Sequence, residues 1–223
     1  MTIAAIYRCA PWIGAAIVGA AVALCPTAAM PEGQLQLPQP AETATASVHS
    51  GTTKTLADIP VWKRIALGTY KGVNAVRNAL DAARMRVGES ADEILGRPAF
   101  PYSKTKTELD LVVVTAADLG FPTGSTPVAE IYRRAMQLGF DLCPAEVGPQ
   151  LRLQYANQPL GEFLHIAMQP IASWRGDLVD LTVGNGGAGL LLLGGDGSPD
   201  LKLHSSVKFV FVRPARIAMP NVQ

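Results

Sequence analysis

The chain has 223 residues, of which 48% are hydrophobic, and it carries a formal net charge of +1. A nearly neutral chain has no general electrostatic attraction for nucleic acid or for an anionic membrane surface, so we expect neither as a partner. The length and the hydrophobic fraction suffice for a domain that folds around its own core.

The amino terminus has the pattern of a secretory signal peptide. No charged residue occurs between Arg8 and Glu32. The apolar centre of this run, residues 13–24, is shorter than the roughly 20 residues that a membrane-spanning helix needs. We therefore expect residues 1–29 to be a cleaved signal peptide, with an uncleaved membrane anchor as the alternative. The predicted location is periplasmic or secreted.

A linker and a single domain are predicted to follow the leader. Residues 30–53 are rich in proline and small polar residues, which favours a flexible linker. Residues 54–213 then form the predicted domain, and residues 214–223 form a tail. Two of the three cysteines lie in the leader, so Cys143 is alone in the mature chain and cannot form an internal disulfide.

Two helices are predicted in the first part of the domain. Apolar residues from Val73 to Ala83 recur at intervals of three and four, which indicates a helix that ends near Gly88. Ser90 and Glu93 have the spacing of a capping box, in which each side chain bonds the other residue's backbone amide. This spacing predicts a second, short helix.

A buried strand and a third helix come next. The apolar run at 108–115 (ELDLVVVT) predicts the strand. Thr126 is suited to cap a helix, and Pro127 is suited to its first position. One apolar face of this helix would begin at Val128, and Gly139 would end it.

The last third of the chain has the alternating pattern of β-strands. Leu151, Leu153 and Tyr155 alternate with Arg152 and Gln154, which predicts a strand there. Further strands are predicted at 163–169, 178–183, 189–193 and 207–212. Because the helices precede strands joined by short turns, we expect an α+β fold with a curved antiparallel sheet or meander and two or three helices on one face.

Four blocks of sequence carry a resemblance to known proteins. They are KTLADIPVWKRIALGTYKGVNAVRNALDAARMRVGESADEILGRPAF, TELDLVVVTAADLGF, LCPAEVGPQLRLQY and GEFLHIAMQPI. In this order they resemble a family of uncharacterised bacterial proteins and protein modules, and the third block is long enough to be specific. The relatives tend to have Trp where Phe163 stands and Glu where Gln169 stands. The resemblance implies no catalytic residue.

Some relatives are labelled helicases, a label that the residues of this chain do not support. Helicases need a phosphate-binding loop, and neither Gly-Lys-Ser nor Gly-Lys-Thr occurs. The segment Gly184 to Gly189 (GNGGAG) matches a dinucleotide-binding pattern, but a predicted strand follows it instead of the required helix. Asp196, Ser198 and Asp200 are best interpreted as a polar turn. We expect no cofactor and no metal.

Candidate binding residues lie on both sides of a Gly-Pro pair. Glu146 and Arg152 could form a bidentate ion pair that holds the turn against the sheet. Alternatively, these two residues could line a shallow polar groove together with Gln154, Tyr155 and Gln158. Arginine and tyrosine are common in recognition surfaces, so such a groove would hold a glycan or a peptide.

Three function hypotheses follow from the sequence. The first is an exported, non-catalytic binding or interaction domain that acts on an envelope component or a partner protein. The second is an extracytoplasmic hydrolase that uses Glu146 or a Cys143/His165 pair, since an imidazole can activate a thiol for acyl transfer. The third is a structural subunit with an exposed apolar face at 207–212.

Overall fold

The computed structural model describes residues 59–214 of the chain. The predicted leader at 1–29, the predicted linker at 30–53 and residues 215–223 of the predicted tail lie outside the described residues. In the described part, no helix combines the length and the apolar character that crossing a membrane requires.

Strands outnumber helices in residues 59–214. The helices are α1 (Val73–Ala82), α2 (Glu89–Leu95), α3 (Val128–Gln137) and α4 (Val147–Gln154). The strands are β1 (Lys63–Leu67), β2 (Arg86–Val87), β3 (Thr107–Thr115), β4 (Ser125–Pro127), β5 (Phe163–Ala172), β6 (Leu178–Gly186), β7 (Gly189–Asp196), β8 (Lys202–His204) and β9 (Lys208–Arg213).

Seven strands form one curled sheet in the order β1-β3-β9-β5-β6-β7-β2, and β4 pairs with β8 in a second, small sheet. The α+β class is therefore confirmed. The sheet is mixed, because β9 enters its centre parallel to β5 and antiparallel to β3, and β2 is parallel to β7. The remaining pairs in the sheet are antiparallel, and the β5–β6 and β6–β7 pairs are joined by the short turns that the sequence predicted.

Hydrophobic cores lie on both faces of the sheet. Successive residues of a strand point to opposite faces, so Val210 packs in one core while Phe209 and Phe211 pack in the other. Helices α1, α2 and α4 contribute to the first core, and we call that side the α4 face. Helix α3 contributes Ile131 and Ala135 to the second core, on the α3 face. Helices therefore cover both faces rather than one.

The central position of β9 rules out the predicted apolar face at 207–212. Phe209, Val210 and Phe211 are fully buried between neighbouring strands and the two cores. An exposed apolar surface for a partner subunit is therefore absent at these residues.

Most of the predicted strands are confirmed, with small changes of boundary. The buried strand predicted at 108–115 is β3, and those predicted at 178–183, 189–193 and 207–212 correspond to β6, β7 and β9. The glycine-rich segment Gly184 to Gly189 forms the β6–β7 hairpin, and a strand follows it as predicted.

Three details of the helices differ from the predictions. The first helix ends at Ala82 rather than Gly88, because Arg84 adopts a positive φ of 54° and the chain turns into β2. The capping box is not formed, since Glu93 accepts a hydrogen bond from the backbone N–H of Trp174 instead. Thr126 belongs to β4 and does not cap α3.

The strand predicted at Leu151 to Tyr155 is wrong, because these residues lie in and just after α4. Gly148 lets this helix approach the sheet closely: a Cβ at position 148 would lie 2.5 Å from Leu181 Cδ1. Every residue from Val147 to Arg152 is buried. A helix buried all round, with polar residues that have partners inside the protein, lacks the one-sided apolar pattern that identifies a helix in sequence.

Candidate functional site

Glu146 and Arg152 are both fully buried, but they do not form the predicted ion pair. The Glu146 carboxylate accepts hydrogen bonds from the backbone N–H groups of Gly68, at 2.9 Å, and Ser103, at 2.8 Å. Glu146 precedes α4, whereas Arg152 lies in its last turn, so the helix directs the two side chains to different surroundings. Glu146 thus joins two loops to the helix.

Arg152 links the end of α4 to the β6–β7 hairpin. Its guanidinium donates hydrogen bonds to Gln158 Oε1 at 2.5 Å, to the carbonyl of Gly184 at 2.9 Å and to the carbonyl of Tyr155. Burial lowers the pKa of Arg152 to about 10. A buried cation held by protein acceptors in this way has a structural role.

The two glutamines of the predicted groove also bond to the protein itself. The amide of Gln154 accepts from the N–H of Ala66 at 3.0 Å and donates to its carbonyl at 2.9 Å, as a neighbouring strand would. Gln158 is buried and donates to the carbonyls of Glu162 and Val183, both at 3.2 Å.

Tyr155, the fifth residue of the predicted groove, is half-buried. Its hydroxyl donates to Glu162 Oε2 at 2.9 Å, and burial, together with this bond, raises the pKa of Tyr155 to about 12. Because Glu146, Arg152 and Gln158 are buried, the five residues do not form an open groove. We call the interactions of Glu146, Arg152, Gln154 and Gln158 the α4 network.

The predicted Cys143/His165 catalytic pair is also wrong. Cys143 packs in the core on the α4 face, where its thiol donates to the Val210 carbonyl at 3.3 Å and burial raises its pKa. His165 lies on the α3 face, with its ring centroid 5.7 Å from that of Phe209. The sheet separates the thiol from the imidazole. Alternation along β5 places His165 on the face opposite to that of Leu164 and Ile166.

A different set of side chains forms an open groove at one end of the sheet. Because β5 is parallel to β9 and antiparallel to β6, the beginnings of β5 and β9 meet the end of β6. The groove there has a volume of about 430 Å³. We call it the His165 groove; it is lined by Gly161, Glu162, Phe163, His165, Thr182, Ser206, Val207 and Lys208.

Phe163 gives the His165 groove an exposed aromatic ring. Its cross-strand partner is Gly184, and a Cβ at that position would lie 2.5 Å from Phe163 Cδ1. The ring therefore occupies the space that a side chain at position 184 would fill. Phe163 remains 44% exposed. A large apolar ring supported on one side by backbone and open on the other is suited to contact a ligand.

Below the groove, His165 meets a buried carboxylate. Its Nδ1 lies 3.3 Å from Asp180 Oδ2, and the two side chains are 19% and 3% exposed. The contact is short enough for an ion pair, but its angles do not meet hydrogen-bond geometry. His165 Nδ1 and Asp180 Oδ1 are consequently buried without a hydrogen-bond partner. Buried polar atoms in this state are uncommon and are often found at functional sites.

A charged pair lies beside the groove on the α4 face of the sheet, because alternation along β9 points Lys208 to the same side as Val210. Lys208 Nζ is 3.0 Å from Glu162 Oε1. The lysine side chain is 47% exposed and the glutamate side chain 16%. Since the other carboxylate oxygen of Glu162 accepts from Tyr155, Lys208 is the more accessible charge.

Two larger hollows lie near α2. They have volumes of about 660 and 880 Å³, and several acidic side chains line each of them. No aromatic residue lines either hollow. The nearby Trp174 lies against the guanidinium of Arg97, 3.9 Å from the ring centroid. Within residues 59–214 there is no group of three or more His, Cys, Asp or Glu side chains that could hold a metal ion.

Sequence reasoning named His165 but missed the groove around it. The available signal was the pairing of Phe163, an aromatic residue at the start of a strand, with a glycine on the next strand. Comparisons with protein-family models, curated proteins and solved structures give no match to this chain.

Proposed function

We propose that the protein is an exported, non-catalytic binding domain that acts on an envelope component or a partner protein, and that the His165 groove is its contact region. The observation that carries this proposal is the half-exposed Phe163 ring seated over Gly184. Aromatic anchors beside polar groups dominate the affinity of many recognition sites. The signal-like amino terminus supports export.

The state of the other polar residues favours binding in this groove over the region predicted from sequence. Glu146, Arg152 and Gln158 are buried and bonded to the protein, so their side chains do not meet a ligand without unfolding of α4. By contrast, Phe163 is 44% exposed and lines the groove together with Thr182 and Ser206. Ligand sites commonly combine an apolar wall with a few polar groups in this way.

Binding can be tested by cosedimentation of the full chain with an envelope fraction that contains peptidoglycan. We expect the Phe163→Ala variant to bind about tenfold more weakly, since it loses the aromatic contact. Trp174→Ala is the matched control, because Trp174 is also an exposed aromatic residue, at 70%, but lies outside the groove. Equal binding by wild type and Phe163→Ala would contradict the proposal.

A second candidate function is hydrolysis at the same groove, with His165 as general base and Asp180 as the carboxylate that orients it. The 3.3 Å contact between His165 Nδ1 and Asp180 Oδ2 favours this candidate. The full chain would be assayed against esters, glycans and peptidoglycan fragments. Turnover that His165→Gln abolishes, and that Cys143→Ala leaves unchanged, supports hydrolysis and removes the non-catalytic proposal.

A further inference from the structure

We propose that the ligand of the His165 groove is an uncharged saccharide, whose ring packs on Phe163 and whose hydroxyl groups bond to His165. The side chains that carry this inference all lie on the α3 face of the sheet. The inference rests on the proposed function, since it requires the groove to be a binding site.

Phe163 and His165 share one face of the sheet. They are two residues apart in β5, and alternation places both on the face opposite to Leu164. Their cross-strand partners in β6 are Gly184 and Thr182, respectively. A ligand that covers Phe163 can therefore reach the imidazole and the Thr182 hydroxyl without leaving this face.

Phe163 and Leu191 form an apolar platform on the same face. The Phe163 ring occupies the space above Gly184, and its Cζ lies 3.5 Å from the position of a Cβ at Gly186. Leu191 pairs with Gly184 from β7, and its Cδ1 lies 3.6 Å from that same Cβ position. Phe163 remains 44% exposed. The C–H face of a pyranose ring is slightly positive and the face of an aromatic ring is negative, which makes the two surfaces complementary.

The charged side chains beside the groove offer a ligand on this platform no opposite charge. Apart from His165, the charged residues that line the groove are Glu162 and Lys208, and both side chains lie on the α4 face. Any positive charge on His165 is balanced by Asp180, 3.3 Å away and 3% exposed. A charged ligand would lose water here without gaining a counterion, so an uncharged ligand is favoured.

His165 supplies the ligand with a hydrogen-bond acceptor. Its Nδ1 is buried against Asp180, so Nε2 is the nitrogen that remains for a ligand. The neighbouring carboxylate favours the neutral tautomer with its proton on Nδ1, which leaves Nε2 to accept. The hydroxyl groups of Thr182 and Ser206 line the same groove and can donate or accept. Sugar hydroxyls, which also do both, match these groups beside an apolar platform.

The test is calorimetric titration of the full chain with two neutral probes, chitotetraose and cellotetraose. The charged probes are de-N-acetylated chitotetraose, which is cationic, and tetragalacturonate, which is anionic. We expect wild type to bind at least one neutral probe, and to bind both charged probes at least about fivefold more weakly.

Variants on the two faces locate the binding. Phe163→Ala should weaken binding of the neutral probe about tenfold. His165→Phe keeps a ring beside Phe209 but removes Nε2, so it should weaken binding about fivefold. Lys208→Met is the control on the α4 face and Trp174→Ala the control outside the groove, and both should bind as wild type does.

The inference is overturned if neither neutral probe binds, if a charged probe binds as tightly, or if Lys208→Met loses affinity. Neutral-probe binding that either Phe163→Ala or His165→Phe leaves unchanged overturns it too, as does binding of a tryptophan-containing peptide in place of both saccharides. In these cases the proposed function still stands if Phe163→Ala weakens cosedimentation with the envelope fraction. If Phe163→Ala changes neither cosedimentation nor titration, both the inference and the proposed function fail.

Discussion

The α4 network and the His165 groove both contain buried charged groups, yet their charges are satisfied differently. In the α4 network, the Glu146 carboxylate accepts hydrogen bonds from two backbone N–H groups, and the Arg152 guanidinium donates to Gln158 and to the Gly184 carbonyl, although Arg152 Nε has no hydrogen-bond partner. At the groove, His165 Nδ1 and Asp180 Oδ1 have no hydrogen-bond partner. The difference teaches that a buried charge with several hydrogen bonds organises the fold, whereas a buried charge with few of them beside an open groove is a candidate for function.

The largest effect is expected for Arg152→Met in the α4 network. This change removes the guanidinium and leaves the carbonyls of Tyr155 and Gly184 without that donor. We expect a loss of about 3–5 kcal/mol in the free energy of unfolding, measured by urea denaturation. Arg64→Met is the control, because the Arg64 side chain is 63% exposed and its loss should change stability little. A similar small change in both variants would show that Arg152 does not organise the fold.

A smaller loss is expected for Glu146→Gln. The amide keeps the size of the side chain, but its NH₂ group turns one acceptor into a donor that faces the N–H of Gly68 or Ser103. Urea denaturation should show a loss of about 2–3 kcal/mol. Glu108→Gln, at a side chain that is 69% exposed, should leave stability unchanged. If Glu146→Gln is as stable as wild type, the comparison of the two regions breaks down.

Gly184→Ala should reduce both the stability of the sheet and binding at the groove. The new methyl group would lie 2.5 Å from Phe163 Cδ1, so the ring must move. We expect a loss of about 1–3 kcal/mol from overpacking, together with weaker cosedimentation with the envelope fraction. Gly187→Ala is the matched control, since a Cβ there meets nothing within 4 Å. Unchanged binding by Gly184→Ala would mean that the position of the Phe163 ring is irrelevant to the ligand.

The smallest effect on stability is expected for Asp180→Asn. Asp180 is almost as deeply buried as Glu146 and Arg152, but one of its oxygens has no hydrogen-bond partner, so its charge contributes little to the fold. The free energy of unfolding should change by less than about 1 kcal/mol, by the same denaturation assay. A loss as large as that of Glu146→Gln would assign Asp180 to the fold instead of the site.

Local sequence patterns predicted most strands, but they failed where polar residues are buried inside the protein. The strand at 108–115 and the β6–β7 hairpin were recognisable, because apolar runs between glycine-rich turns depend on neighbouring residues only. At α4, Arg152 and Gln154 imitate the polar positions of a strand, although both side chains bond other groups of the protein. The polarity of a residue does not reveal whether its partners lie in solvent or across the chain.

The sequence by itself determined the α+β class, and it named residues between Glu146 and His165 as candidates for a site. Only the tertiary structure decided which of these residues meet solvent. The sheet places Cys143 and His165 on opposite faces, and it brings Phe163 and Gly184 together from neighbouring strands. Such proximity depends on long-range strand pairing, and the short-range periodicity of a single sequence carries no information about which strands become neighbours.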